Sequence, residues 1–197
     1  MFDVDIWDQT PGWLNEKEAR CLYSHVMELG IPGLIVEIGC FRGRSTIAML
    51  MGCRDKSPDG LVKVISVDNF SGDGNSYGEV SERNTKEGRK LLYEQIMRAK
   101  LGNFFQGLAA IDSRFWFDQN VNLVGAVDMF FVDGCHLTTD SDIRGAWRYL
   151  RPGGVLLCHD YDPTTRPSKV MQDIDNSGIP GRHVGIAGTS IWKAVKP

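Results

Sequence analysis

The stretch "GLIVEIGCFRGRSTIAML", Gly33 to Leu50, decides the fold. A β-branched, apolar run ends at Glu37, and the chain then turns through Gly39 and Gly43. The segment that follows, "RSTIAMLMGC", carries apolar residues at helical spacing. A strand that passes through a glycine loop into a helix is half of a βαβ unit, and such loops commonly cradle a ligand. The pattern here is ExGxxxGxS. "GCFRGRS" is one residue short of a phosphate loop and lacks its lysine. Phe41 stands where a dinucleotide loop needs its second glycine, the one that lets a pyrophosphate approach.

Working outward, "NEKEARCLYSHVMELG" sets Ala19, Leu22, Tyr23, Val26 and Leu29 on one helical face, with Gly30 as a stop. Further strands are expected at "LVKVISVD", "NFFQG", "AVDMFFVDG" and "GVLLCHDY". Helices are expected near 85–100, in "TTDSDIRGAWRYL" (stopped by "RPGG") and in "SKVMQDIDNSG". "RHVGIAG" and "TSIWKAVKP" read as a closing antiparallel pair. Alternating strands and helices predict a parallel sheet, and near-continuous apolar strands predict helices on both of its faces. Residues 1–32 read as a helical segment packed on a single domain spanning 33–197.

Lys and Arg total 22 against 25 Asp and Glu, a net charge of −3, which gives no electrostatic footprint for nucleic acid. No apolar run is long enough to predict a membrane span, and the acidic opening "MFDVDIWDQTPGW" is unlike a signal peptide. The five cysteines, Cys21, Cys40, Cys53, Cys135 and Cys158, form no CxxC pair and suit free thiols in a reducing cytoplasm. Oligomeric state is left open, a homodimer being one option.

Parallel sheets bind ligands outside the carboxyl ends of their strands. The expected tips are Glu37 and Gly39, Asp68, Gly107, Asp133 and Gly134, and His159 and Asp160. An acidic loop repels phosphate and tolerates a cation. S-adenosylmethionine fits: it has no phosphate, a sulfonium, an ammonium and a ribose diol that Asp68 can accept.

Four segments carry a resemblance to class I S-adenosylmethionine-dependent methyltransferases: "VEIGCFRGRST", "VISVDNF", "FFVDGCH" and "RPGGVLLCHDY". The last two resemble a subgroup with VDGxH and GGxxxxHDY strand ends, and the likeness spans roughly residues 33–195. It departs at Leu137 and Thr138, where the subgroup has an aromatic and an acidic residue. The resemblance implies a Rossmann-like, doubly wound, mostly parallel seven-stranded sheet with an antiparallel C-terminal strand. It also implies that Glu37, Gly39, Cys40, Phe41, Gly43 and Ser45 frame the methionine end of the cofactor. Asp68 would bind the ribose, Asn69 and Phe70 would lie beside the adenosine, and Gly107 and Leu108 near adenine. Apart from the resemblance, Asp133 at its strand tip is a candidate to anchor the loop or to touch the cofactor's ammonium.

Asp133, His136, His159 and Asp160 are the candidate catalytic residues. Methyl transfer to oxygen needs a deprotonated hydroxyl, which an imidazole or a divalent metal can provide. The related catechol-type O-methyltransferases hold a divalent metal with an Asp after the fourth strand and an Asp-Asn pair after the fifth, and that resemblance makes Asp133, His159 and Asp160 the candidate metal ligands, for Mg²⁺ or Mn²⁺. The expected activity is methyl transfer to a hydroxyl of a small molecule or sugar, with no nucleic-acid or membrane partner. A non-catalytic S-adenosylmethionine-binding module and a metal-dependent oxygenase or hydrolase are the alternatives. Residues 69–84, "NFSGDGNSYGEVSERN", read as a lid, and Trp13 and Tyr77 as candidates to line the acceptor pocket.

Overall fold

The computed structural model describes residues 1–70, 82–135, 138–162, 169–179 and 184–197. The chain opens with α1 (Val4–Asp8) and α2 (Glu16–Glu28), followed by β1 (Gly33–Ile38), α3 (Arg44–Lys56), β2 (Val62–Val67) and α4 (Glu82–Arg98). It continues through β3 (Phe105–Ala109), α5 (Ser113–Gln119), β4 (Val127–Val132) and α6 (Thr139–Tyr149). The described chain ends with β5 (Leu150–Cys158), α7 (Lys169–Ser177), β6 (Val184–Gly185) and β7 (Trp192–Val195).

These strands form one sheet in the order β3-β2-β1-β4-β5-β7-β6. The first five run parallel, and β7 runs antiparallel to both β5 and β6. Among the described residues, six strands of four to nine residues carry the sheet, and β6 adds a two-residue edge. No helix among them is long and apolar enough to cross a membrane.

Alternation along the strands builds two cores. Ile35, Met129 and Phe131 join Trp7, Leu22, Val26 and Leu50 on one face. Val36, Ile38, Phe130 and Val132 join Trp116, Ile143, Tyr149 and Trp192 on the other. Each fully buried Leu or Phe side chain contributes roughly 1.5–3 kcal/mol. The N-terminal helices belong to the first core. A Cβ on Gly52 would sit 2.7 Å from Val26 Cβ, so α2 and α3 can cross closely only because α3 has glycine there.

The structure moves some expected boundaries. β3 runs on to Ala109, so Gly107 is mid-strand. β5 begins at Leu150 and includes the "RPGG" segment, which stops the preceding helix as expected and is itself extended; Gly153 N–H donates to the Lys196 carbonyl and Lys196 N–H to the Gly154 carbonyl, which supplies the partners of an extended strand. α1 and α5, five and seven residues long, are too short to leave a periodic signal. The expected lid falls largely on residues 71–81, which lie outside the described residues, as does Tyr77; its final residues open α4.

Candidate active site

The glycine loop after β1 packs directly on the tip of β4. Gly39 has φ +86°, and a Cβ there would lie 2.2 Å from the Asp133 carbonyl oxygen. Glycine is therefore required both by conformation and by close approach. Asp133 N–H donates to the Ile38 carbonyl (2.8 Å) and His159 N–H to the Val132 carbonyl (3.0 Å), which holds the tips of β1, β4 and β5 together.

Asp68 closes the loop from the tip of β2. Its carboxylate accepts from Phe41 N–H at 2.7 Å and from Phe70 N–H at 2.6 Å. Burial raises the Asp68 pKa, and these backbone donors oppose the rise. Phe41 and Phe70 both have positive φ, 44° and 53°. Each thereby turns its N–H toward Asp68.

Several residues expected at the cofactor also bond or pack within the protein. Glu37 is fully buried beneath the loop and accepts from Thr46 Oγ1 (2.6 Å), Ser66 Oγ (2.7 Å) and Ser45 Oγ. Burial pushes its carboxyl up to about 7, against these three hydroxyls. Glu37 and Ser45 therefore join β1, β2 and α3 to one another beneath the loop. Phe70 is buried in the first core, its ring packed so tightly on α4 that a Cβ on Gly88 would sit 2.4 Å from it. Leu108 is half-buried against that core, and the backbone at the tip of β3 is Ala109, whose carbonyl accepts from Asp68 N–H. The Cys40 and Cys158 thiols are buried and their pKa values are raised by that burial, which leaves them poor nucleophiles.

The expected chemical groups do assemble. His159 Nδ1 lies 3.1 Å from Asp133 Oδ1 and 3.3 Å from Asp160 Oδ1. His136 lies outside the described residues. Asp160 has φ +60° and is the most exposed of these side chains, at 46 % against 28 % for Asp133 and 11 % for His159. Ligand atoms of Asp133, His159 and Asp160 all fall within 4.8 Å of one another, spacing that can hold one cation. Two oxygens and one nitrogen suit Mn²⁺, Fe²⁺ or Zn²⁺ better than Mg²⁺, which prefers oxygen throughout.

A residue that the strand-tip argument misses completes the cluster. Glu18, buried on the first turn of α2, brings Oε2 to 3.3 Å from His159 Nε2. That is ion-pair distance, although Nε2 has no well-aligned hydrogen-bond partner. Burial would depress the His159 pKa, but Asp133, Glu18 and Asp160 outweigh it and push the ring up to about 11. Burial likewise acts to raise Glu18, yet its donors His159, Asn15 and Ser190 bring it down to about 2. The one sequence signal at Glu18 is "NEKE", a capping box in which Asn15 and Glu18 satisfy each other's backbone N–H. That motif marks a helix start and says nothing of His159.

The N-terminal segment also forms a wall beside the loop. Arg44 donates to the Leu14, Thr10 and Asp8 carbonyls, pairs with Asp8 Oδ1 and lies 3.8 Å over the Trp7 ring. This fastens residues 8–14 to the start of α3. Trp13, 71 % exposed, stacks on Phe41 with ring centroids 5.3 Å apart.

Three solved structures share this architecture. The O-methyltransferase from Bacillus cereus, in complex with SAH, is 18 % identical at a TM-score of 0.65, over 98 % of this chain and 87 % of that one. TomG from Streptomyces achromogenes, an O-methyltransferase of tomaymycin synthesis in complex with SAM, is 16 % identical at a TM-score of 0.67, over 94 % and 82 %. CalS11, the TDP-rhamnose 3'-O-methyltransferase of calicheamicin biosynthesis, is 15 % identical at a TM-score of 0.61, over 90 % and 76 %. In sequence, the family model described as a methyltransferase domain matches residues 36–161, the span from β1 to the "HDY" at the end of β5. With the glycine loop, the strand order and that match in agreement, the chain belongs to this methyltransferase family and is an S-adenosylmethionine-dependent enzyme of class I.

Proposed function

We propose that the protein methylates a hydroxyl of a small molecule or sugar, with a divalent cation helping to ionise that hydroxyl. The observation that carries this reading is the gathering of Asp133, His159 and Asp160 on two adjacent strand tips, against the glycine loop. The functions of TomG and CalS11, O-methylation in tomaymycin synthesis and at a TDP-rhamnose 3'-hydroxyl, support an oxygen acceptor on a small molecule or sugar. Five free thiols support a reducing, cytoplasmic setting.

In this reading Asp68 receives the ribose hydroxyls, and the backbone of Gly39 to Gly43 follows the methionine portion. When bound, S-adenosylmethionine supplies the electrophilic methyl carbon, and a divalent cation lowers the pKa of a coordinated hydroxyl. Asp133, His159 and Asp160 would hold that cation. Asp160, the most exposed of the three, faces the arriving acceptor. Trp13, stacked on Phe41 and open to solvent, offers a planar surface for a ring-bearing acceptor.

The test combines calorimetry with turnover on a panel of phenols and sugar nucleotides. S-adenosylhomocysteine should bind, and a chelator should abolish methylation while leaving that binding intact. Asp160→Ala should lower the rate by about 10²-fold or more and change cofactor affinity less than twofold, since its interaction develops with the ionising hydroxyl. Full activity in an Asp133→Ala, Asp160→Ala double variant would refute the proposal.

A further inference from the structure

Glu18 comes from the N-terminal helix, far in sequence from every strand tip, yet it faces the back of the histidine at the centre of the site. Its carboxylate is held in place from two directions. Oε2 accepts from Asn15 N–H at 3.0 Å, and Oε1 accepts from Ser190 N–H at 3.0 Å and Ser190 Oγ at 2.7 Å. A capping box alone needs neither the burial of Glu18 nor its contact with Ser190 and His159.

We propose that Glu18 is a positioning residue, the outer carboxylate of a Glu18–His159–cation triad that keeps the hydrogen of His159 on Nε2 and directs Nδ1 to the cation. The inference rests on the metal-assisted reading above. A histidine ring serves a cation through one nitrogen, and the partner of the other nitrogen decides which. Here Nε2 faces a fixed carboxylate, which can only accept a hydrogen. Nδ1 faces the place where the Asp133 and Asp160 oxygens converge, 3.1 and 3.3 Å away. Glutamine at position 18 could turn an amide N–H toward Nε2 and so favour the opposite tautomer, with its hydrogen pointing into the cation site.

The experiment is calorimetric titration of the full chain with Mn²⁺ alone, and separately with S-adenosylhomocysteine. The proteins compared are the wild type, Glu18→Gln, Glu18→Asp, Asp160→Asn and Asn15→Ala. The wild type should bind Mn²⁺ and Asp160→Asn should lose it. Glu18→Gln should bind Mn²⁺ about 10- to 100-fold more weakly, with S-adenosylhomocysteine affinity changed less than twofold. Asn15→Ala removes half of the capping box but spares the contact with His159, so its Mn²⁺ affinity should match the wild type. If Glu18→Gln does not fold, Glu18→Asp, which keeps the charge but withdraws it by one methylene, makes the same comparison. Wild-type Mn²⁺ affinity in the Glu18 variants would overturn the triad and leave the metal reading standing. Parallel loss of both ligands would reduce Glu18 to a structural residue and overturn the triad too. Absence of Mn²⁺ binding in the wild type would overturn both proposals.

Discussion

Glu37 is a buried acid that carries charge at a cost. Three hydroxyls stabilise its ionised form, yet burial still lifts its carboxyl from 4.5 to about 7. Between those values the folded state holds a proton that the unfolded chain has released. Raising the pH therefore favours unfolding: the stability is fully present below about 4.5 and is lost as the pH rises through about 7. Glu37→Gln should remove this dependence. Chemical denaturation across pH 4–8 should show the wild type losing roughly 3 kcal/mol relative to the glutamine variant. Parallel curves would mean that folding leaves the Glu37 pKa where the unfolded chain has it. At this scale the sequence reveals which residues sit at strand tips, since Asp68, Asp133, His159 and Asp160 all occur where an apolar run stops. It does not reveal which way a side chain turns there. Glu37 and Ser45 are eight residues apart and look like loop-facing groups, but one helical turn of α3 brings Ser45 and Thr46 back under the strand, where they meet Glu37. Glu18 has no such signature, because its partners come from β5 and the approach to β7.

Among the elements, the segment between α1 and α2 is held chiefly by Arg44. The Arg44 side chain is 15 % exposed, and its guanidinium lies over Trp7 and meets three carbonyls of the segment as well as the Asp8 carboxylate. Arg44→Ala should destabilise the fold by about 2 kcal/mol and open residues 8–14 to limited proteolysis. Arg44→Lys should restore little, since an ammonium cannot reproduce the planar fork. A cleavage pattern unchanged from wild type would show that the segment is fastened by other contacts. Trp13→Ala tests the outer surface of the same segment. It should raise KM for a ring-bearing acceptor several-fold and leave S-adenosylhomocysteine binding as it was; an unaltered KM would remove Trp13 from the acceptor site. Long elements were legible because their periodicity repeats. The extension of β3 to Ala109 was not, because "GLAA" carries no stop signal, and the start of β5 was hidden by a glycine pair that usually marks a turn.

Across the whole molecule, the parallel sheet follows from the alternation of strands and helices, its strand order is read from the structure, and the two cores follow from the faces to which alternate residues of β1 and β4 turn. The site adds something that order alone does not contain, which is closure between the first long helix and the approach to the last strand. Glu18 and Ser190 are 172 residues apart. On a ribosome, α2 emerges early with a carboxylate whose destination has not yet been synthesised. The glycine loop and β2 emerge well before that destination exists. The β5 tip arrives late, and the serine that steadies Glu18 later still. A nascent chain halted short of Ser190 would thus hold both Glu18 and His159 without the serine that steadies the carboxylate. Order of synthesis places the serine that steadies Glu18 after every strand tip of the parallel part of the sheet.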